Sequence, residues 1–241
     1  NFNIMVEKPL CLSLKELISV KKALGRSKVK ISSNMVLRAN EMFINIKQKM
    51  KNEKIFYAEC DYMWGRAEKL FGWRSKVKNF SFTLGAAIHM IDLICWILNK
   101  RPLSVITLGN KIVTKNTIFK KKSFLIYLLK FSQNLIVKVT ANMAGTHEHF
   151  HNLKIYSKDK TLFHTRDGSY ILKKNKKLFS NNLSHAYPDK KNRKKVIRNF
   201  IDSIKNSNVK KIISQKEIFD LMSICFAADK SLKLNREIKI N

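Results

Sequence analysis

Several residues have the types and spacing for chemistry. Glu7-Lys8-Pro9 follows a short apolar stretch, Ile4-Met5-Val6, and precedes a leucine-rich run. A lysine at the carboxyl end of a parallel strand sits where α/β folds bind ligands. There it can hold an anionic or polar group, or share a proton with a reacting hydroxyl. The tripeptide also suits a plain polar turn. His89 lies within "LGAAIHMIDLICWIL", with Asp92 three residues on and able to share a helix face. A histidine near a helix N-terminus keeps its neutral form, which suits a general base. A core histidine bonded to backbone leaves the same mark. In "THEHFHNL", His147, His149 and His151 alternate and would share one face of a strand. Imidazoles so spaced can converge on a metal, but no acidic or cysteine partner lies close enough in sequence to complete a site. A polar pocket wall or sheet surface is therefore expected, and no metal. Asn34 and Arg38 follow the second strand, again at a carboxyl end. Tyr62, Arg66, Trp73 and Arg74 lie around the loop before the buried helix. Arginines and aromatics there suit a sugar or carboxylate, or simply pack the loop.

These residues need elements to position them. Ser13 and Glu16 predict a capping box over a helix from Leu14 to Leu24, closed by Gly25. Val29 to Ser33 reads as a strand, and Leu37 to Asn52 as one amphipathic helix. Strand–helix–strand–helix is the tail of a parallel α/β unit. The pattern then changes. Ile55 to Trp64 reads as a strand, and Ala86 to Leu98 as a buried helix. Strands are predicted at Leu103 to Val113, Ser123 to Lys130, Leu135 to Met143, Phe150 to Ser157, Thr161 to His164 and Tyr170 to Lys173. Short turns such as Ser132-Gln133-Asn134 favour antiparallel neighbours. Helices over about Lys190 to Lys205 and Gln215 to Leu232 finish the chain. The fold class is α+β: the tail of a Rossmann α/β unit in residues 1–53, then a large, mainly antiparallel open sheet in residues 54–241 with helices on one face. The last helices are free to pack back on the first unit, and the open sheet face to pair with another subunit.

Composition bounds the function. The chain has 241 residues and a formal net charge of +31. That excess suggests nucleic acid or an anionic membrane. Yet it comes from 39 lysines against 9 arginines, spread along the whole chain. Lysine, asparagine and isoleucine are abundant while glycine, alanine and proline are scarce, as A/T-rich codons dictate. No groove-binding or single-strand-binding motif occurs, so no specific nucleic-acid partner is expected. No apolar run reaches the length of about 18 residues that spans a membrane. The four cysteines form no CxxC pair and sit mostly in apolar surroundings, consistent with free thiols in a reducing, cytoplasmic setting.

"VEKPLCLSLKEL", "SSNMVLRAN", "GWR", "GAAIHMIDLICWILNKRPLSV" and the late "FDLMSICFAADKSL" follow one another along the chain. In that order they resemble the glucose-fructose oxidoreductase / inositol dehydrogenase (Gfo/Idh/MocA) family. The resemblance implies an N-terminal Rossmann domain for NAD or NADP, and a C-terminal α+β domain that holds a sugar-like substrate and often forms homo-oligomers. It places Glu7, Lys8 and Pro9 beside the cofactor, Lys8 and His89 at the reacting centre, and a chain that begins after the first five or so Rossmann strands. Asn34, Arg38, Tyr62, Arg66, Trp73, Arg74, His147 and His149 become candidates for the substrate wall. No GxGxxG or GxxxxGK[ST] turn occurs in the sequence. Many family members carry an aspartate four residues before the histidine; here that position is Gly85. The glycine often found two residues before it is Ala87. Asp92 is then expected to hold the helix against the sheet. The expected activity is hydride transfer between a nicotinamide and a sugar, cyclitol or sugar-derivative hydroxyl. A non-catalytic sugar-binding or oligomerisation module of the same descent is the alternative, and a polyanion-binding protein a third.

Overall fold

A computed structural model of the chain describes residues 2–174, 176–181 and 191–240. Asn1, where the first unit was expected to begin, and Lys190, where the first of the late helices was, lie outside them. The chain opens with β1 (Ile4–Val6), α1 (Leu14–Gly25) and β2 (Ile31–Ser33). The two strands run parallel, Ile4 against Ile31 and Val6 against Ser33. Ser13 caps α1 by accepting the Glu16 N–H at 3.2 Å. The Glu16 carboxylate takes the Leu12 N–H at 2.8 Å, one residue upstream of the expected box.

The single helix expected over Leu37 to Asn52 is two pieces. A 3₁₀ turn covers Val36–Ala39, and α2 covers Glu41–Lys49. Asn40 breaks them: its backbone is extended (φ −79°, ψ 126°) and its Oδ1 accepts the Met42 N–H at 2.9 Å. A short amide side chain competes with the helix for the backbone and wins as a cap. The 3₁₀ turn buries Leu37, Arg38 and Ala39.

The main sheet has nine strands: β3 (Ile55–Met63), β4 (Ser104–Asn110), β5 (Phe124–Lys130), β6 (Ile136–Asn142), β7 (Phe150–Ser157), β8 (Thr161–Thr165), β9 (Gly168–Lys173), β10 (Lys176–Asn181) and β11 (Ile238–Lys239). Their order is β10-β9-β8-β7-β3-β6-β5-β4-β11. Every neighbouring pair is antiparallel except β3 with β6. The edge strands β10 and β11 were not expected. One is lysine-rich, and the other has two residues, so neither carries a local strand signal. Between the strands lie α3 (Trp73–Lys76), α4 (Ile88–Leu98), α5 (Lys191–Lys205) and α6 (Gln215–Leu234).

Period-two alternation puts Ala58, Cys60 and Tyr62 of β3, and Val137, Val139 and Ala141 of β6, into the core. Helix α4 packs on β3, and α6 packs on β4, α4, α1 and β2. The alternate residues, such as Tyr57, Glu59, Lys138 and Tyr156, face the other way and are half-buried. There Glu59 pairs with Lys138 at 3.1 Å and Lys154 at 3.7 Å. Among the described residues no helix is long and apolar enough to cross a membrane.

Arg38 and Asp92 join these parts. Arg38 is 4% exposed and Asp92 1%. The Arg38 Nη2 donates to Asp92 Oδ1 at 2.7 Å, and its Nε donates to Oδ2 at 3.0 Å. Its Nη1 donates to Glu217 at 2.5 Å, the residue that also completes the capping box of α6 with Ser214. Asp92 therefore ties α4 to the turn after β2, rather than to the sheet as expected. Burial works against the Arg38 charge, but the Asp92 and Glu217 carboxylates outweigh it and hold the guanidinium charged. Removing one partner strands a buried charge. Arg38→Met or Asp92→Asn should each destabilise the chain by about 3–5 kcal/mol, while Arg38→Met with Asp92→Leu recovers much of the loss. Urea denaturation followed by circular dichroism measures this; single variants within about 1 kcal/mol of the parent would refute it.

Candidate active site

Lys8 stands at the carboxyl end of β1, and its peptide bond to Pro9 is cis. Beside it Asn34 bridges the two parallel strands: its N–H donates to the Val6 carbonyl at 3.0 Å, and its Nδ2 donates to Glu7 Oε1 at 2.9 Å. The Lys8 stem reaches the surface but its amine is enclosed. The Nζ donates to the Gly85 carbonyl at 2.5 Å. That carbonyl belongs to a π-helical turn, Thr83–Ala87, which runs directly into α4. Burial lowers the Lys8 pKa to about 8, and the nearby Arg74 charge adds to the shift.

His89 is the second residue of α4. The preceding π turn means it does not lie at a free helix N-terminus, as the sequence suggested. Its pKa is pushed well below the ordinary value by burial first and by Lys8 second. Its Nδ1 is buried and has no hydrogen-bond partner. The ring stacks almost parallel on Tyr62, 5.9 Å between centroids at 7°. Tyr62 in turn meets His149 edge-on at 5.4 Å and His151 at 5.0 Å. Burial holds His149 down at about 4 and His151 well below the ordinary range, and lifts Tyr62 to about 12. These three imidazoles and one phenol are all neutral at pH 7.

The loop after β3 forms the adjoining wall. The Arg66 and Arg74 guanidiniums lean on the Trp64 ring at 5.5 and 5.3 Å, and Arg74 also covers Trp73 at 4.4 Å. Trp73 meets Phe80 edge-on at 6.0 Å. The Phe80 ring fills the space beside Gly85: a Cβ there would lie 2.5 Å from its Cζ. Lys121 pins this part of the loop, its amine donating to the carbonyls of Val77 (2.7 Å), Phe80 (3.0 Å) and Lys78 (3.2 Å). The space that a side chain at position 85 would enter thus holds an aromatic ring.

The structure brings Glu7, Lys8, Asn34, Tyr62, His89 and His149 together, with Arg66, Trp73 and Arg74 alongside. It places Arg38 elsewhere, committed to Asp92 and Glu217. The three histidines also do not share one strand face. β7 begins at Phe150, so His151 alone is on it, while His147 turns its Nδ1 to the Glu148 carbonyl. His151 belongs to the same neighbourhood, as do Trp64 and Phe80, which the sequence did not mark as wall residues. Of the three, only His151 was signalled, by its alternation with His149. No group of three or more His, Cys, Asp or Glu among the described residues is placed to hold a metal ion. A cavity of about 880 Å³ opens at the other end of α4, lined by Lys47, Trp96 and Lys210 among others, and includes neither Lys8 nor His89.

Residues 47–218 match the family described as "Oxidoreductase family, C-terminal alpha/beta domain". No curated protein sequence matches the chain. Among solved structures, myo-inositol 2-dehydrogenase from Lactobacillus plantarum superposes with a TM-score of 0.81 at 15% identity, over 99% of this chain and 74% of that one. Scyllo-inositol dehydrogenase from Lactobacillus casei, crystallised with NAD(H) and scyllo-inositol, gives 0.78 at 13% identity over 99% and 73%. UDP-N-acetylglucosamine 3-dehydrogenase from Acidithiobacillus ferrooxidans gives 0.74 at 14% identity over 96% and 71%. At such identities the likeness is one of fold.

The tightness at Gly85 can be tested directly. Phe80 is boxed by Trp73, Phe82 and Phe119 and cannot swing away freely. Gly85→Ala should therefore destabilise the chain by about 1–3 kcal/mol, and adding Phe80→Leu should return part of that. Thermal unfolding of the single and double variants decides; a neutral Gly85→Ala would mean the ring yields.

Proposed function

The chain belongs to the Gfo/Idh/MocA oxidoreductase family, and on that premise we propose that Lys8 and His89 form the reacting centre for NAD(P)-dependent hydride transfer with a sugar, cyclitol or sugar derivative. The observation that carries this reading is the meeting of a buried lysine amine, at the end of a parallel strand, with a helix whose histidine keeps a buried, unpartnered Nδ1. In the same reading residues 1–53 are the end of a Rossmann domain and residues 54–241 the substrate domain.

The residues fit one end of the cofactor. Glu7, Lys8 and Pro9 would flank the nicotinamide at the carboxyl end of β1, where such folds hold their ligands. Nothing in the sequence fits the pyrophosphate, because no glycine-rich turn leads into a helix N-terminus. When bound, the nicotinamide supplies the electron sink that accepts a hydride. The protein's own work is with the proton. As the carbinol C–H bond breaks, the hydroxyl proton must leave and a carbonyl forms. His89 is neutral and accepts it at Nδ1. An imidazolium is disfavoured there by burial and by Lys8, so the proton does not rest on the ring and passes to the Lys8 amine in its neutral form. Lys8, at about 8, is the group of the pair that exchanges a proton with solvent near neutral pH. Tyr62, His149, Asn34, Arg66, Trp73 and Arg74 wall the substrate, and aromatic faces exclude water from it. The outward sheet face, with Tyr57, Tyr156 and Tyr170 half-buried on it, pairs with a second copy.

Among the described residues no carboxylate acts strongly on His89, which favours a second reading, a sugar-binding module that has lost catalysis. Activity separates the two. Supplying a nucleotide-binding Rossmann half in trans should restore hydride transfer to a cyclitol or sugar, and His89→Ala or Lys8→Met should lower it by roughly 10²–10⁴-fold. No transfer under any complementation would leave the binding module standing. The chain alone should bind NADH more weakly than about 1 mM, and a tight titration would contradict this division of labour between the two halves.

The lysine assignment has its own test. The folded pKa lies below the unfolded value, so the charged amine opposes folding below about pH 8, and the penalty fades as pH rises from there towards the unfolded value. Lys8→Met should accordingly stabilise the chain at pH 7, by on the order of 1–3 kcal/mol, while removing activity. Isotope-edited NMR of the lysine side chains should show the Lys8 amine titrating near 8. A Lys8 signal with the ordinary value would remove the proton relay.

A further inference from the structure

The candidate site is electropositive. Among the described charged groups that act most strongly on Lys8, Tyr62, His89, His149 and His151, Glu7 is the one carboxylate, and its Oε1 already accepts from Asn34. The others are Arg66, Arg74, Lys69 and Arg193. The lysine surplus of the chain reflects its codon usage and signifies little. Arginine is different: the chain has nine, and three of them act on this site.

Pairing separates Arg66 and Arg74 from the three arginines that form ion pairs. Arg38, Arg101 and Arg166 each meet a carboxylate. Among the described residues, Arg66 and Arg74 meet none. The Arg66 Nε is buried and has no hydrogen-bond partner. Arg74 gives Nη1 to the Lys69 carbonyl at 3.2 Å, and no other acceptor among the described residues meets its guanidinium. Both guanidiniums lean on one face-forming ring, Trp64, two residues beyond Tyr62. A guanidinium held on an aromatic ring is pre-organised, and its edge presents a fixed fork of N–H donors. Such a fork matches the paired oxygens of a carboxylate or phosphate.

We propose that the substrate carries an anionic oxygen group, a carboxylate or a phosphate, which Arg66 and Arg74 grip above Trp64 while the reacting hydroxyl lies between Lys8 and His89. This rests on the oxidoreductase reading for the position of the hydroxyl, but not for the grip itself. The bound anion supplies the acceptors that the protein withholds from the two guanidiniums. It also offsets the positive field at Lys8 and His89.

Binding alone tests the grip, with no cofactor and no turnover. The full chain is titrated by tryptophan fluorescence and calorimetry with glucuronate, glucose 6-phosphate and the neutral myo-inositol. Either charged sugar should bind at least roughly tenfold tighter than the neutral one, and whichever is tighter identifies carboxylate or phosphate. Arg66→Gln with Arg74→Gln should abolish the preference. Lys51→Gln, in the lysine-rich cavity at the other end of α4, should leave it intact. Should the double variant fail to fold, Arg66→Lys keeps the charge, loses the fork, and should lose most of the preference. Equal affinity for charged and neutral sugars overturns the proposal. So does a preference that survives loss of both arginines, which would place the anion on surface lysines, and so does the absence of saturable binding of both charged sugars. A chain that prefers the charged sugar yet transfers no hydride when complemented would sink the oxidoreductase reading and leave the grip standing.

Discussion

A guanidinium without access to water has to be met on every side, and Arg38 is met by Asp92 of α4 and Glu217 of α6. Three stretches of chain that are distant in sequence are thereby fixed to one point. The geometry admits little slack, because each carboxylate must keep its contact or leave a charge unpaired in the interior. Since α4 is a stiff rod, anchoring Asp92 also fixes where the other end of the rod lies. That end carries Gly85 and His89. The meeting of Lys8 with the Gly85 carbonyl is thus a downstream result of a charge pair buried one turn along the same helix.

The neighbourhood of His89 shows what this chain does without. An aromatic ring stands in the space that a side chain at position 85 would enter, and three further imidazole and phenol rings close around the histidine. Such surroundings keep the ring neutral by exclusion of water rather than by an orienting charge. The lysine bears the compensating role: its amine is enclosed as well, but it is held by a backbone carbonyl and lies at a pKa near physiological pH. The loop between β3 and α4 is pinned from below by Lys121 and packed from within by Phe80. Its outer surface offers two arginines and Trp73 to whatever arrives.

The sequence carried the fold well wherever the signal was local. The strand over Phe150–Ser157 and the helix beginning at Gln215 are where periodicity and capping residues place them. It failed where one residue overrode a pattern, as Asn40 did by capping α2 inside an apparently continuous helix. It also failed at the edges of the sheet, where β11 exists because β4 is beside it. The same division holds in the site. Lys8 and His89 stand out through the company they keep in sequence. Arg38 looked like a ligand-binding residue because its partners lie 54 and 179 residues away. No local reading supplies a partner at that distance. Phe80 carried no mark at all, since its role depends on the absent side chain of Gly85.

The central strand of the sheet has a further consequence for how the protein comes into being. β3 is flanked by β6 and β7, the one parallel and the other antiparallel, and both are encoded some 80 to 100 residues after it. A strand with such distant partners gains nothing from pairing until they exist. On the ribosome, therefore, the middle of the sheet is synthesised first and completed late. Until β6 emerges, Ala58, Cys60, Tyr62 and Trp64 have no sheet around them, and their segment is an unpaired, alternating apolar strand of the kind that chaperones shield. The hairpin of β5 and β6, joined by a three-residue turn, can form by itself in the meantime and offers β3 its first edge. The architecture that brings Tyr62 to His89 thus makes assembly of that wall a late event in the life of each new chain.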